Sequence, residues 1–210
     1  MRVLITAGPT REYLDPVRYL SNASSGRMGA ALAAAAKARG HHVALVMGPT
    51  EVEPPEVDEL VRVTSAADMF EAVVARFGGC DLFVAAAAVC DYRPAQRDEH
   101  KIKKSRGKVT IELERTADVL GLMSQRRHRG QVLVGFCLET MDLERRARGK
   151  LEVKGLDLVV ANGPEAIGAA LQDALILGRG NYCDRLTQVS KADLAERVFD
   201  AVAGLTRFGA

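Results

Sequence analysis

The chain has 210 residues and a mass of 22.6 kDa, enough for one domain with a full core. Hydrophobic residues are 48% and charged residues 27%, which excludes a disordered chain; aromatics are only 5% and Trp is absent, so the core must come from Ala, Val, Leu and Ile. Lys and Arg number 29 against 27 Asp and Glu, a balance too even for the dominant basic field of a general nucleic-acid binder.

Residues 3–6 form a β-type run that stops at Ala7-Gly8-Pro9-Thr10, a turn signal. A polar loop is expected from there through Asn22. Ser24-Ser25-Gly26 then precedes a helix over 28–39, built of strong helix formers and stopped at Gly40. Residues 42–47 read as a strand, 51–56 with Pro54-Pro55 as a loop, and 60–64 as a strand. Over 66–77 the apolar residues Ala66, Met69, Phe70, Val73, Val74 and Phe77 fall on one helical stripe. Residues 81–89 are an apolar run of the kind that suits a central parallel strand covered on both faces. A long, polar and basic stretch follows over 91–108. Then come a strand over 109–113, a helix over 117–123 and a buried strand over 132–136. A charged helix over 141–154, a strand over 156–160, a break at Asn162-Gly163-Pro164, a strand over 174–177 and an amphipathic helix over 191–203 complete the chain.

Strands alternate with helices, which predicts a single α/β domain over 1–210: a Rossmann-like three-layer sandwich with a mostly parallel sheet. The runs at 109–113 and 174–177 lack full crossover helices, so a small antiparallel extension or flap is expected there. No apolar run approaches the roughly 20 residues of a membrane helix. The first residues lead directly into a strand and lack the apolar core of a signal peptide, so a cytoplasmic protein is expected. Cys80, Cys90, Cys137 and Cys183 form no CxxC pair and the His residues show no ligand spacing; free, mostly buried thiols are expected rather than a zinc site.

In an open α/β sheet, ligands bind beyond the carboxyl ends of the strands. Four loops qualify: 8–26, 85–104, 136–140 and the stretch from Asn162 onward. In the first, Gly8, Ser24, Ser25 and Gly26 can bring bare amides and two hydroxyls to a helix start, which suits phosphate. The spacing is neither GxGxxG nor a P-loop, and a plain Ser24 cap with turn glycines is the alternative. Asn22 is by type a turn former; beside a phosphate cradle its amide can hold an acyl oxygen or a developing oxyanion. The second loop carries Asp91-Tyr92-Arg93-Pro94 and Lys101-Ile102-Lys103-Lys104, either a solvated surface or lysines that close over polyphosphate. Lys150 and Lys154 share one helix face, beside Glu144 and Glu152. Asp118 suits a helix start, and Phe136 is either core or a base-stacking plate. There is no Ser-His-Asp order, HExxH or carboxylate pair.

Taken together these segments resemble the phosphopantothenoylcysteine synthetases. The resemblance starts with Ile5-Thr6-Ala7-Gly8-Pro9-Thr10-Arg11-Glu12 and the block from Asp15-Pro16-Val17-Arg18 through Ser24-Ser25-Gly26-Arg27-Met28-Gly29. It continues through Ala86-Ala87-Ala88-Val89-Cys90-Asp91-Tyr92-Arg93-Pro94, Lys101-Ile102-Lys103-Lys104, Val134-Gly135-Phe136, Glu139-Thr140, Lys150, Lys154 and Asp157-Leu158-Val159-Val160-Ala161-Asn162. It covers nearly the whole chain.

The resemblance implies a ligase of coenzyme A biosynthesis. The carboxylate of 4'-phosphopantothenate attacks the α-phosphate of a nucleoside triphosphate, CTP in most bacterial members, with ATP the open alternative. Pyrophosphate leaves, an acyl-nucleotide forms, and the amine of L-cysteine displaces CMP. Mg²⁺ is the implied partner of the phosphates, its protein ligands unassigned. By matching position, Asn22 and Lys101 are implied as catalytic, Asn22 in turning over the acyl-nucleotide and Lys101 on a mobile loop. The implied nucleotide contacts are Ala85, Ala86, Ala87, Asp91, Lys101, Ala117, Asp118, Val119, Leu120, Phe136, Lys150 and Lys154, with Gly8, Ser24, Ser25 and Gly26 as the phosphate cradle. A homodimer with sites near the interface is also implied. Many bacterial relatives carry a flavin-dependent phosphopantothenoylcysteine decarboxylase before this domain; here the chain begins at the synthetase motif, so a stand-alone enzyme beside a separate decarboxylase, or an excised piece, is expected. Residues 166–173 depart from the family's Asn-Ser-Asp-type stretch, which leaves their role open. The rival, a short-chain oxidoreductase, needs GxGxxG and a Tyr-x-x-x-Lys pair, and neither is present. A non-catalytic nucleotide-binding regulator would bind CTP and release no pyrophosphate. No nucleic-acid or membrane partner is expected.

Overall fold

A computed structural model describes residues 1–104 and 107–207. In chain order its elements are β1 (Arg2–Ala7), β2 (Arg11–Tyr13), β3 (Tyr19–Ser21), α1 (Arg27–Ala38), β4 (His42–Met47), β5 (Glu59–Arg62), α2 (Ala66–Phe77), β6 (Leu82–Ala85), β7 (Tyr92–Pro94), β8 (Leu113–Arg115), α3 (Val119–Gln125), β9 (Val132–Leu138), α4 (Leu143–Val153), β10 (Leu158–Asn162), a 3-10 turn (Pro164–Ala166), β11 (Leu171–Gly178), β12 (Cys183–Ser190) and α5 (Lys191–Arg207). Eight strands form one sheet in the order β12-β11-β10-β9-β6-β1-β4-β5. From β5 to β10 every neighbour is parallel, while β11 and β12 add an antiparallel edge.

The sheet is buried on both faces, which is why its central strands are runs of Val, Leu, Ile and Ala rather than alternations. Val3, Ile5 and Ala7 of β1 pack with α1 and α5 on one face. Leu4 and Phe83 pack on the other, with Met69 of α2, Met123 of α3 and Leu151 of α4. The result is the three-layer α/β sandwich expected from the sequence. After β1 the chain builds β4 and β5 on one side; α2 then returns it to β6 on the other. The strand order therefore reverses between β1 and β6, and the crevice lies beyond the carboxyl ends of the strands at that switch point.

Three stretches differ from the sequence expectation. Residues 8–22 are not a plain loop: β2 and β3 pair antiparallel as a ribbon apart from the main sheet. Its strands have three residues each, too short to show a period. The turn between them is organised by buried Asp15, whose carboxylate accepts from the amides of Val17 at 2.8 Å and Arg18 at 2.9 Å. The run over 81–89 is a strand only as far as Ala85. Beyond it the chain follows the loop after β1, with Ala88 N donating to Gly8 O at 2.9 Å. In the run over 109–113 only Leu113 is in a strand; β8 pairs with β7 in a second small ribbon. The antiparallel extension of the sheet is β11 with β12, of which 174–177 is a part. β12 lies at the sheet edge with most side chains in or near solvent, so hydrophobicity does not mark it.

Among the described residues, no helix is long and apolar enough to cross a membrane, and no group of three or more His, Cys, Asp or Glu could hold a metal ion. Cys80, Cys90 and Cys137 are buried free thiols, and Cys183 is an exposed one.

Candidate active site

The crevice holds a cavity of about 830 Å³. The loop after β1 supplies Asn22, Ser24, Ser25 and Gly26; the end of β6 and the segment after it supply Ala85, Ala86, Ala87 and Asp91. The entry to α3 supplies Ala117, Asp118, Val119 and Leu120, β9 supplies Phe136, and α4 supplies Lys150 with Lys154 at its end. Residues from five separate parts of the sequence thus share one wall.

Two expected members stand elsewhere. Gly8 is not on the wall. Its φ of +75° favours glycine, and a Cβ there would lie 3.1 Å from Gly48 O, so it lets two loops pack closely. Lys101 is exposed and outside the cavity. Its neighbour Ile102 is tied down: its amide donates to Asp15 Oδ2 at 3.2 Å, and its oxygen accepts from Arg18 Nη2 at 2.6 Å.

Ser24 is not the cap of α1. The cap is Gly26, at φ +77°; the Ser24 and Ser25 hydroxyls accept from the amides of Gly26 at 3.4 Å and Arg27 at 3.5 Å, and Met28 and Gly29 of the first turn line the cavity. Gly29 on the first turn also lines the cavity; a Cβ on it would meet Ala7 Cβ at 2.3 Å, so the helix start sits tight against β1.

Asn22 departs from expectation in which atom it offers. Its Nδ2 donates to Ala88 O at 3.1 Å and to Val89 O at 3.0 Å, so both amide hydrogens are engaged. Two carbonyl oxygens fix that amide orientation, since Oδ1 cannot face them. With both hydrogens engaged, Oδ1 is the side-chain atom left to accept, whereas the sequence suggested a donor.

The cationic wall is built by burial. Lys150 Nζ donates to Phe136 O at 2.6 Å, and burial pushes its ammonium below the ordinary lysine value. Lys154 Nζ lies 2.8 Å from Asp118 Oδ1. Burial works to raise the Asp118 carboxyl, but Lys154 and the Gly121 amide outweigh it and hold the pKa low. Cys137, which also lines the cavity, is a thiol pushed up to about 11, chiefly by burial.

Gln172 and Lys191 line the cavity and were not expected there. The available signal was local: Lys191 is a lysine at the first position of a helix, where the dipole disfavours a cation.

Residues 1–205 match the model of the DNA/pantothenate metabolism flavoprotein C-terminal domain. The chain is 41% identical over 210 residues to the coenzyme A biosynthesis bifunctional protein CoaBC of Bacillus subtilis, covering 98% of this chain and 52% of that protein. It is 39% identical over 207 residues to the protein of the same name from Thermococcus kodakarensis, covering 96% of this chain and 50% of that one. The chain spans about half the length of these curated relatives. A solved structure of the C-terminal domain of CoaBC is 35% identical, with a TM-score of 0.84 over 98% of this chain and 95% of that one. With a match over nearly its whole length, the chain belongs to the DNA/pantothenate metabolism flavoprotein C-terminal domain family.

Proposed function

We propose that this domain is a phosphopantothenate–cysteine ligase acting in coenzyme A biosynthesis in the cytoplasm, with CTP as its nucleotide. The observation that carries the proposal is the convergence, in one cavity, of the α1 N-terminus, Asn22, the Ala85–Asp91 segment and the Lys150–Lys154 wall. A volume of about 830 Å³ suits a nucleotide with a second ligand beside it. The relatives' name, a bifunctional protein of coenzyme A biosynthesis, supports the same assignment for one of their halves.

In the first step a carboxylate oxygen of 4'-phosphopantothenate bonds to the α-phosphorus, and the bond from that phosphorus to the bridging oxygen breaks, releasing pyrophosphate. The first-turn amides of α1, with the Ser24 and Ser25 hydroxyls beside them, hold phosphate oxygens against the positive end of the helix dipole. Lys150 and Lys154 neutralise charge on the nucleotide side. In the second step the amine of cysteine attacks the acyl carbon, the carbon–oxygen bond breaks, and CMP leaves. Asn22 Oδ1 accepts an N–H of that amine and orients its lone pair toward the carbon. Lys101 reaches the phosphates by a movement that releases Ile102 from Asp15 and Arg18.

Mg²⁺ carried by the triphosphate would offset phosphate charge, and no protein ligand is assigned to it. A homodimer is proposed through the two small ribbons, where Tyr19, Tyr92 and Leu113 are exposed. The decarboxylase that consumes the product is a separate partner or a preceding domain.

Mass spectrometry of the reaction tests the proposal. With CTP and 4'-phosphopantothenate alone, the protein should hold the acyl-cytidylate; adding L-cysteine should convert it to the amide and CMP. Failure to form either product with CTP or ATP would overturn the assignment.

A further inference from the structure

The lysines of α4 approach the cavity from the sheet face covered by α2, α3 and α4. A third ammonium enters from the opposite face, on α5. Lys191 Nζ lies 2.9 Å from Gln172 Oε1 and 3.2 Å from Ala166 O. Gln172 is only 2% exposed, and its Nε2 stands 3.9 Å from Met28 Sδ, on the first turn of α1. The Lys191 ammonium is thus held beside the same helix start that faces the cavity. Arg27, the first residue of α1, donates to Gly168 O at 3.3 Å. Two cations therefore brace residues 166–168, and among the described residues no carboxylate pairs with either.

Two features of Lys191 are locally unfavourable, and the helix does not need it. It is the first residue of a 17-residue helix, where the dipole repels a cation. It is half-buried with only neutral partners, and burial together with Arg27 pushes its pKa down. The helix already has a cap in Ser190, whose Oγ accepts from Asp193 N at 3.1 Å, so Lys191 is not needed to start it. A turn-bracing role alone would be met by a neutral donor without burying charge. Such conflicts between local rules and structure concentrate at functional positions. An ammonium has three N–H groups; two are used here, which leaves one for a ligand in the cavity that Lys191 lines.

We propose that Lys191, positioned by Gln172, binds the terminal phosphates of the nucleotide and the pyrophosphate that leaves. This rests on the ligase proposal above. A nucleotide whose nucleoside end lies against Phe136 and Lys150 and whose phosphates reach α1 extends its β- and γ-phosphates toward Lys191. When the α-phosphorus bond breaks, the electron pair leaves on pyrophosphate, and a point-charge lysine there stabilises it. Residues 166–173, whose role the sequence left open, become the support of this subsite.

Calorimetry with inorganic pyrophosphate and, separately, CMP tests the proposal on the intact chain with Mg²⁺ present. Lys191→Met should weaken pyrophosphate about 10-fold or more and leave CMP within about 2-fold. Lys150→Met should do the reverse. Lys191→Arg, which keeps the charge, should retain most of the pyrophosphate affinity and guards against misfolding of the Met variant. Gln172→Leu should weaken pyrophosphate while CMP affinity stays near wild type. Equal pyrophosphate binding by wild type and Lys191→Met overturns the inference. CMP binding without pyrophosphate binding in the wild type overturns it and leaves the ligase proposal standing; binding of neither overturns both.

Discussion

Lys150 Nζ donates to the main-chain oxygen of Phe136 at 2.6 Å, and this neutral carbonyl is the ammonium's hydrogen-bond partner inside the cavity. Burial lowers its pKa from the ordinary lysine value of 10.5. The folded state therefore releases the proton more readily than the unfolded chain. Below the lowered pKa, burying the cation costs stability; the cost fades as pH rises toward 10.5. Nucleotide binding runs the other way, because it uses the cation. CMP affinity is expected to fall on an alkaline limb that lies below 10.5. Lys150→Met should lose about 10-fold or more in CMP affinity with no loss of melting temperature. Calorimetry across pH, paired with thermal unfolding, checks both; a destabilised variant with normal affinity contradicts the role.

Asn22→Asp places a carboxylate oxygen where Nδ2 now meets Ala88 O and Val89 O. Two donors become an acceptor facing two acceptors, so the link between the two loops is lost. Phosphate positioning by Ser24, Ser25 and Gly26 does not depend on that link. The variant should form the acyl-cytidylate and resolve it about 10²–10³ more slowly, the scale of losing one well-placed polar group at a reacting centre. Rapid-quench mass spectrometry would find the bound intermediate. Amide formation at the wild-type rate would reduce Asn22 to a loop residue.

Lys101 has an exposed side chain beside an anchored backbone, with Ile102 held by Asp15 and Arg18. Exposure keeps the stability change of Lys101→Ala within about 0.5 kcal/mol, while the proposed reach to the phosphates predicts a fall in turnover. Steady-state kinetics and a melting curve on the same preparation decide it. A large fall in melting temperature with unchanged turnover points to a structural role instead.

Gly29→Ala adds a Cβ 2.3 Å from Ala7 Cβ and 2.8 Å from Ala7 Cα, so α1 must shift away from β1. Overpacking of this kind costs about 1–3 kcal/mol. For a chain of this size each kcal/mol lowers the melting temperature by roughly 2–4 °C. Nucleotide affinity should drop as well, since the shifted helix start carries the phosphate amides. Gly149→Ala on α4, where a Cβ meets nothing within 4 Å, is the contrast and should stabilise by about 0.5–1 kcal/mol.

The central sheet was legible because β1, β4, β6, β9 and β10 are buried on both faces and read as apolar runs. The two ribbons and β12 were not legible. Three-residue strands show no period, and β12 at the sheet edge keeps much of its length in solvent. Most of the cavity wall was identified by resemblance to known synthetases, not by periodicity. A turn glycine and a phosphate glycine look alike in sequence, so the close approach of Gly8 to Gly48 was not legible there. The atom that Asn22 offers depends on the position of Ala88 and Val89, more than sixty residues away along the chain, and no local pattern encodes it.

Pyrophosphate release, followed with CTP or ATP and 4'-phosphopantothenate in the presence and absence of L-cysteine, is the most direct measurement. The ligase account predicts release that requires 4'-phosphopantothenate, stops near one equivalent per site without cysteine, and turns over continuously with it. Nucleotide binding with no release of pyrophosphate under any of these conditions would contradict the account and leave a nucleotide-binding domain without this chemistry.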